Sequence, residues 1–244
     1  MKFHVENINA YDGSDLIFLI GTPGSKWSAV HRMLCENPKI NTTDWSEEKS
    51  WGDDVYGLDI HGKISNLGVH KGSYWGPGNM YGKKFDRLDS VSKEEMLSEF
   101  MEAYENWDKI KIIKSHWFAY NISYLHNLFP KAKLLFCYGG DLESFYWWHK
   151  GGGWGMEYAN YSWYENDVRL LEKIKEENSN ILKFCIDRDL DFKVILKSSL
   201  YDKLDISSIP QKDSYTICKV AVYSGEYISN FSHLEHIKKH EEIK

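Results

Sequence analysis

The chain contains little proline, little cysteine and no excess of basic residues. Among 244 residues there are five prolines and four cysteines, and the net charge is −6. The cysteines lack the paired spacing of metal sites, so we interpret them as reduced core residues of a cytosolic-type protein. They are Cys35, Cys137, Cys185 and Cys218. The acidic balance argues against nucleic acid as a partner, because no broad basic surface would attract phosphates.

Long hydrophobic runs are also absent. No segment approaches the roughly 18 consecutive apolar residues of a membrane span. The first ten residues contain no apolar core of a secretion signal. These absences predict a soluble, unprocessed, cytoplasmic protein without a membrane partner, in which any acidic ligand is held by a local site.

Aromatic residues, by contrast, are abundant. They make up 15% of the chain, with ten tryptophans and sixteen tyrosines. They indicate either ordinary buried mass or a site that stacks on flat or sugar-like ligands. The length suits one sizeable domain, and no linker divides the chain, so we predict a single domain over residues 1–244.

Strand and helix patterns alternate along the sequence. Continuous apolar runs, typical of strands buried on both faces, predict strands at residues 16–20, 111–114, 133–138 and 181–186. Periodic apolar positions predict helices at residues 27–35, 92–107, 118–128, 141–149, 161–177 and 192–204, with a helical tail at about 224–244. Residues 38–88 form a long irregular region. The alternation predicts an α/β fold with a mostly parallel central sheet flanked by helices.

A turn rich in small and polar residues follows the first predicted strand. Glycines there let backbone amides approach a ligand, and the start of the next helix adds free N–H groups and a partial positive charge. The turn lacks the Gly-Lys-[Ser/Thr] ending of a Walker A sequence. It is therefore either a tight connection or an anion site. Its candidate ligand-binding residues are Gly21, Thr22, Pro23, Gly24, Ser25, Lys26, Trp27 and Ser28.

The second predicted strand ends in Lys114-Ser115-His116. In an open α/β sheet, ligands bind at the carboxyl ends of the strands, where an imidazole can act as a general base. A histidine at a strand end can equally be a structural hydrogen-bonding residue. Lys114 shares the side of the strand with His116 by period-two alternation. Its charge would lower the imidazole pKa and favour a neutral base.

These elements resemble the sulfotransferase family, whose members use 3′-phosphoadenosine 5′-phosphosulfate (PAPS) on a P-loop NTPase-like α/β fold. The resemblance covers roughly residues 15–150 and extends to residues 181–204. It depends on the strand-turn-helix at 16–35, on Lys114-Ser115-His116, and on Phe129-Pro130-Lys131-Ala132-Lys133 leading into a strand. It implies that the turn holds the phosphosulfate and that no metal is needed.

The resemblance also implies roles for individual residues. His116 would take the proton of an acceptor hydroxyl, on a carbohydrate or small metabolite, while Lys114 and Lys26 stabilise developing charge. The family's 3′-phosphate site usually has an Arg and a Ser where this chain has Gly139 and Trp147. The possible substitutes are Ser144, His149 and Lys150.

Two other functions fit the same sequence. One is a non-catalytic nucleotide-binding or interaction protein on a sulfotransferase scaffold, which Gly139 and Trp147 favour. A P-loop phosphotransferase is disfavoured by the missing Gly-Lys-[Ser/Thr]. Three further features have less specific interpretations. Residues 70–79 are either a lid or a rigid loop, and residues 147–154 are either a stacking surface or a helix end. The helically spaced His233, His236 and His240 are either a metal site or part of a solvated face.

Overall fold

The structure is a computed structural model that describes residues 8–44, 56–58, 64–66, 75, 85–151 and 164–225. Its strands are β1 (Leu16–Gly21), β2 (Tyr56–Leu58), β3 (Ile64–Asn66), β4 (Lys111–Ser115), β5 (Lys133–Tyr138) and β6 (Lys219–Tyr223). Its α-helices are α1 (Trp27–Cys35), α2 (Lys93–Glu102), α3 (Ile122–Leu128), α4 (Asp141–Lys150), α5 (Asp167–Ile186) and α6 (Lys197–Lys203). Short 3-10 helices cover Ile8–Ala10, Phe85–Ser90 and Trp117–Tyr120.

The central sheet of the described residues has the strand order β4-β1-β5-β6. β1 pairs with β4 and β5 in parallel, whereas β6 pairs with β5 in the antiparallel direction. The prediction of an α/β fold with a mostly parallel sheet flanked by helices is therefore confirmed. β2 and β3 form a separate antiparallel pair.

The sheet is buried on both faces because its central strands are continuous apolar runs. All six residues of β1 are buried. Leu16, Phe18 and Ile20 contribute to one core cluster, and the alternate residues Ile17 and Leu19 to the other. α1 packs on the second cluster, and α2 and α3 on the first. The continuous apolar runs at β1, β4 and β5 thus gave correct strand positions.

Several predicted elements have different limits in the structure. The predicted strand at 181–186 is wrong: α5 runs unbroken to Ile186, because Ile181, Phe184 and Cys185 are buried at helical spacing. The helix predicted at 118–128 is divided into a 3-10 helix and α3, and the one predicted at 192–204 is only the seven-residue α6. The antiparallel strand β6 was not predicted.

The predicted helix at 92–107 begins as expected but ends early. The Ser92 side chain caps α2 by accepting a hydrogen bond from the Glu95 amide at 3.1 Å, as its capping-box pattern predicts. The helix ends at Glu102. All four cysteines are free; Cys137, Cys185 and Cys218 are buried, as predicted for core residues, whereas Cys35 is only partly buried.

Most of the region predicted as irregular, 38–88, and nearly all of the predicted tail at 224–244 lie outside the described residues, as do His233, His236 and His240. The same holds for residues 70–79 apart from Trp75, and for residues 152–154. The described part of 38–88 includes the strand pair β2 and β3, which was not predicted. Within the described ranges, no helix combines the length and the apolar character that crossing a membrane requires.

Candidate functional site

The candidate site lies where β1 ends. The chain passes from β1 to β4 on one side and later to β5 on the other, so the strand order reverses at β1. Such reversal points open a crevice at the carboxyl edge of the sheet, where ligands bind. The polar turn after Gly21 lies at this point, and His116 follows the neighbouring end of β4.

The His116 imidazole contacts the first residue of the turn directly. Its Nδ1 atom lies 2.7 Å from the Gly21 carbonyl oxygen, and its ring stacks on Trp27 at a centroid distance of 4.1 Å and an angle of 24°. A carbonyl can only accept a hydrogen bond, so Nδ1 carries the proton in the neutral ring. The lone pair of the neutral imidazole is then on Nε2, as a general base requires.

Burial controls the protonation of this histidine. His116 is 2% exposed. Burial lowers its pKa from 6.5 to about 3, the Gly21 carbonyl opposes that shift, and the positive charge of Lys114 adds to it. The predicted effect of Lys114 thus has the right sign but is secondary to burial. The predicted alternation does not apply, because β4 ends at Ser115 and His116 adopts a helical conformation.

Lys114 is itself fully buried. Burial lowers the pKa of its ammonium to about 8, and the nearby negative charge of Asp44 limits the shift. At pH 7 the group remains mostly protonated. Lys114 therefore supplies a buried positive charge near His116, from the carboxyl end of β4.

Three buried hydroxyls at the turn have no hydrogen-bond partner among the described residues. They belong to Thr22, Ser25 and Ser144, each with no exposed surface. Buried polar groups in proteins are nearly always paired, so a cluster of unpaired hydroxyls calls for an explanation. At the same place α1 begins, and the residue before it, Lys26, provides no side-chain cap for its first amides. Hydroxyls and helix amides together are suited to an anion.

The turn packs tightly against α4, which brings Ser144 into the site. Gly24 has a φ of +75°, and a Cβ atom there would lie 1.9 Å from the Ser144 carbonyl oxygen and 2.6 Å from the Trp148 amide. A Cβ atom on Gly139 would lie 3.0 Å from Ser144 Oγ and 3.8 Å from the Ser25 Cα. Glycine at both positions therefore permits the close approach of α4 to the turn.

The Lys26 side chain extends to α4. Its Nζ atom lies 2.7 Å from the Glu143 carboxylate and 4.5 Å from the centre of the Trp147 ring. Lys150 approaches the same ring at 5.4 Å. His149 instead contacts Asp167 at 3.0 Å. The structure thus brings His116, Lys114, the turn and Ser144 together, and the Lys26 ammonium is engaged by Glu143.

Two buried polar residues of α5 at the same sheet edge were missed by the sequence reasoning. Glu177 is fully buried beside Tyr120, and Asn178 donates to Asp141 on α4 at 2.7 Å. A signal was present, because Glu177 lies at helical spacing between the apolar residues Ile174 and Ile181. In the described part of the chain, no group of three or more His, Cys, Asp or Glu side chains is arranged to hold a metal ion.

Fold and site together define a mixed α/β protein with a buried histidine and a hydroxyl-rich turn at the carboxyl edge of its sheet. Comparison with protein-family models, with curated proteins and with solved structures yields no match.

Proposed function

We propose that this protein is a PAPS-dependent sulfotransferase of P-loop NTPase-like architecture. In this proposal it moves a sulfuryl group from PAPS to a hydroxyl of a carbohydrate or small metabolite. The observation that carries the proposal is the contact between His116 Nδ1 and the Gly21 carbonyl. It holds an imidazole base against a turn whose amides and hydroxyls are suited to a phosphosulfate.

The turn and α4 hold the donor in this proposal. The amides at the start of α1 and the hydroxyls of Thr22, Ser25 and Ser144 donate to the 5′-phosphosulfate oxygens. Lys26 exchanges Glu143 for a donor phosphate when the donor binds, a movement that its position at the turn permits. The two lysines near the Trp147 ring offer positive charge where Gly139 and Trp147 replace the family's Arg and Ser.

His116 and Lys114 serve the transfer itself. The acceptor oxygen forms a new bond to sulfur as its proton passes to His116 Nε2, and the bond between sulfur and the 5′-phosphate oxygen breaks. Both bonding electrons of that broken bond remain on the phosphate, so adenosine 3′,5′-bisphosphate leaves. The mostly protonated Lys114 stabilises the negative charge that develops at the site.

A pKa of about 3 makes the His116 imidazole a weak base. Negative charge beside an imidazole favours its protonated form and raises its pKa. Binding of the doubly charged phosphosulfate next to the turn would therefore shift His116 toward the range in which a general base is effective. On this account the histidine becomes basic only when the donor is in place.

Ligand-induced stabilisation tests the donor site. A ligand that binds only the folded state at a hundredfold excess over its dissociation constant stabilises it by about 2.7 kcal/mol. We expect adenosine 3′,5′-bisphosphate to raise the melting temperature, and ATP with magnesium to have little effect. Stabilisation by ATP with magnesium alone would favour a phosphotransferase, and stabilisation by neither would contradict the proposal.

A second candidate function is nucleotide binding without catalysis. It is favoured by the near-complete burial of His116 between Gly21 and Trp27, which also suits a purely structural histidine. Both candidates predict binding of the bisphosphate. They differ in turnover, because only the sulfotransferase would release the bisphosphate from PAPS in proportion to sulfated acceptor.

A further inference from the structure

The two tryptophans of α4 lie in different surroundings. Trp148 is 4% exposed and belongs to a core cluster. Trp147 is only partly buried, and neither core cluster of the described residues includes it. Its indole ring instead lies near the side chains of Lys26, Tyr146 and Lys150. Core packing therefore does not explain why this position of α4 carries a tryptophan.

Two lysine ammonium groups approach the Trp147 ring. Lys26 extends from the turn after β1, and its Nζ atom lies 4.5 Å from the ring centre. Lys150, on α4 itself, places its Nζ atom 5.4 Å from the same centre. Because the face of an indole is electron-rich, it attracts cations at such distances. The surface thus combines a flat apolar ring with positive charge, which suits a planar ligand that carries anionic groups.

This ring lies next to the anion site at the turn. Ser144, whose unpaired hydroxyl belongs to that site, precedes Trp147 by three residues on α4. Residues at this spacing are neighbours on a helix surface, with Cβ atoms roughly 5–6 Å apart. Lys26, at the end of the turn, joins the two positions through its contact with the ring. A group linked to a phosphate at the turn would therefore be close enough to contact the indole.

Lys26 couples the phosphate to the ring. Its Nζ atom lies 2.7 Å from the Glu143 carboxylate while it lies over the Trp147 ring. In the proposed function the donor phosphate takes Lys26 from Glu143. The same movement would carry the ammonium off the indole and leave that part of the ring to a ligand. Lys150 stays beside the ring, since its Nζ atom lies 3.3 Å from the Tyr146 hydroxyl on the same helix.

We infer that Trp147 stacks on the base of a nucleotide whose phosphate is bound at the turn. The inference rests on the proposed function and deepens it, because it assigns a residue to recognition of the adenine ring. Nucleobases stack on aromatic side chains through their flat π-faces. An inorganic anion has no such face, so Trp147 distinguishes a nucleotide from a simple phosphate or sulfate.

Two ligands, one with a base and one without, test this inference. Calorimetry gives the dissociation constants of adenosine 3′,5′-bisphosphate and of inorganic pyrophosphate, which has no base. Loss of one stacked base corresponds to roughly fivefold to a hundredfold in affinity. Trp147→Ala should weaken binding of the bisphosphate by that factor and leave binding of pyrophosphate unchanged. Trp147→Phe, whose ring still stacks, should retain most of the affinity for the bisphosphate.

Controls separate stacking from structure. Tyr215→Ala removes an aromatic side chain that is 66% exposed and lies outside the turn and α4, so both dissociation constants should stay at their wild-type values. If Trp147→Ala does not fold, Trp147→Leu replaces it as a larger apolar variant without a π-face. If pyrophosphate does not bind measurably, the bisphosphate affinity of Trp147→Phe relative to Trp147→Leu decides.

The outcomes separate this inference from the function on which it rests. Unchanged bisphosphate affinity in Trp147→Ala, an equal loss for both ligands, or an equal loss in the phenylalanine and aliphatic variants overturns the stacking role and leaves the donor site standing. A wild type that does not bind the bisphosphate overturns the proposed function, and the stacking role with it.

Discussion

The burial of His116 predicts a pH-dependent loss of stability. Its pKa is about 3 in the folded protein and 6.5 as the ordinary value, so below pH 6.5 the unfolded chain binds a proton that the folded protein does not. Stability must therefore fall as pH decreases from about 6.5 toward 3. Between pH 7.5 and pH 5 the loss from this one group is about 2 kcal/mol.

Chemical denaturation at the two pH values measures this loss, and a variant isolates it. His116→Asn places an amide nitrogen near the position of Nδ1 and can still donate to the Gly21 carbonyl, but it does not titrate. Other groups titrate equally in both proteins, so the wild type should lose about 2 kcal/mol more than the variant between pH 7.5 and pH 5. An equal loss in both proteins would refute a neutral, buried His116.

Two further predictions concern the turn and α4. Gly24→Ala should destabilise the protein by roughly 2–5 kcal/mol, from the left-handed conformation and from overlap with the Ser144 carbonyl. Chemical denaturation measures this cost, and a loss below about 1 kcal/mol would contradict the close packing of α4 on the turn. Ser144→Ala removes an unpaired buried hydroxyl, so without ligand it should be neutral or stabilising by up to about 1 kcal/mol, while calorimetry should show weaker binding of adenosine 3′,5′-bisphosphate. Unchanged affinity would remove Ser144 from the donor site.

The elements that position the site were predictable because their signals are local. β1 and β5 are uninterrupted apolar runs, and such runs have few alternatives in a parallel sheet. The Gly21 turn and the Lys-Ser-His sequence follow these strands directly. Their meeting at one edge follows from the general rule that parallel strands align their carboxyl ends.

The errors arose where tertiary packing decides the structure. The predicted helix at 161–177 and the predicted strand at 181–186 leave the polar residues 178–180 between them, yet α5 continues through these residues, since Asn178 is buried and donates to Asp141. Polar residues inside a helix usually face solvent. The burial of Asn178 is explained only by its contact with α4, which the sequence does not show. β6 is short and antiparallel at the sheet edge, and its pairing with β5 is a long-range contact that no local pattern specifies.

Side-chain partners were equally beyond sequence reasoning. The ion pair of Lys26 with Glu143, more than a hundred residues away in the chain, depends on the packing of α4 against the turn. Burial of His116 likewise depends on Trp27 and on the return of the chain past Gly21. The sequence indicated that Lys114 would lower the imidazole pKa, while the larger effect of burial required the folded structure.

The most direct test of the proposed function follows labelled sulfur from PAPS in the wild type and in His116→Ala. General-base catalysis contributes roughly 10²–10⁴-fold to rate, so the variant should lose turnover by that factor while its dissociation constant for adenosine 3′,5′-bisphosphate changes little. A His116→Ala variant that transfers sulfur to a hydroxyl acceptor at the wild-type rate would contradict the assignment of His116 as the base.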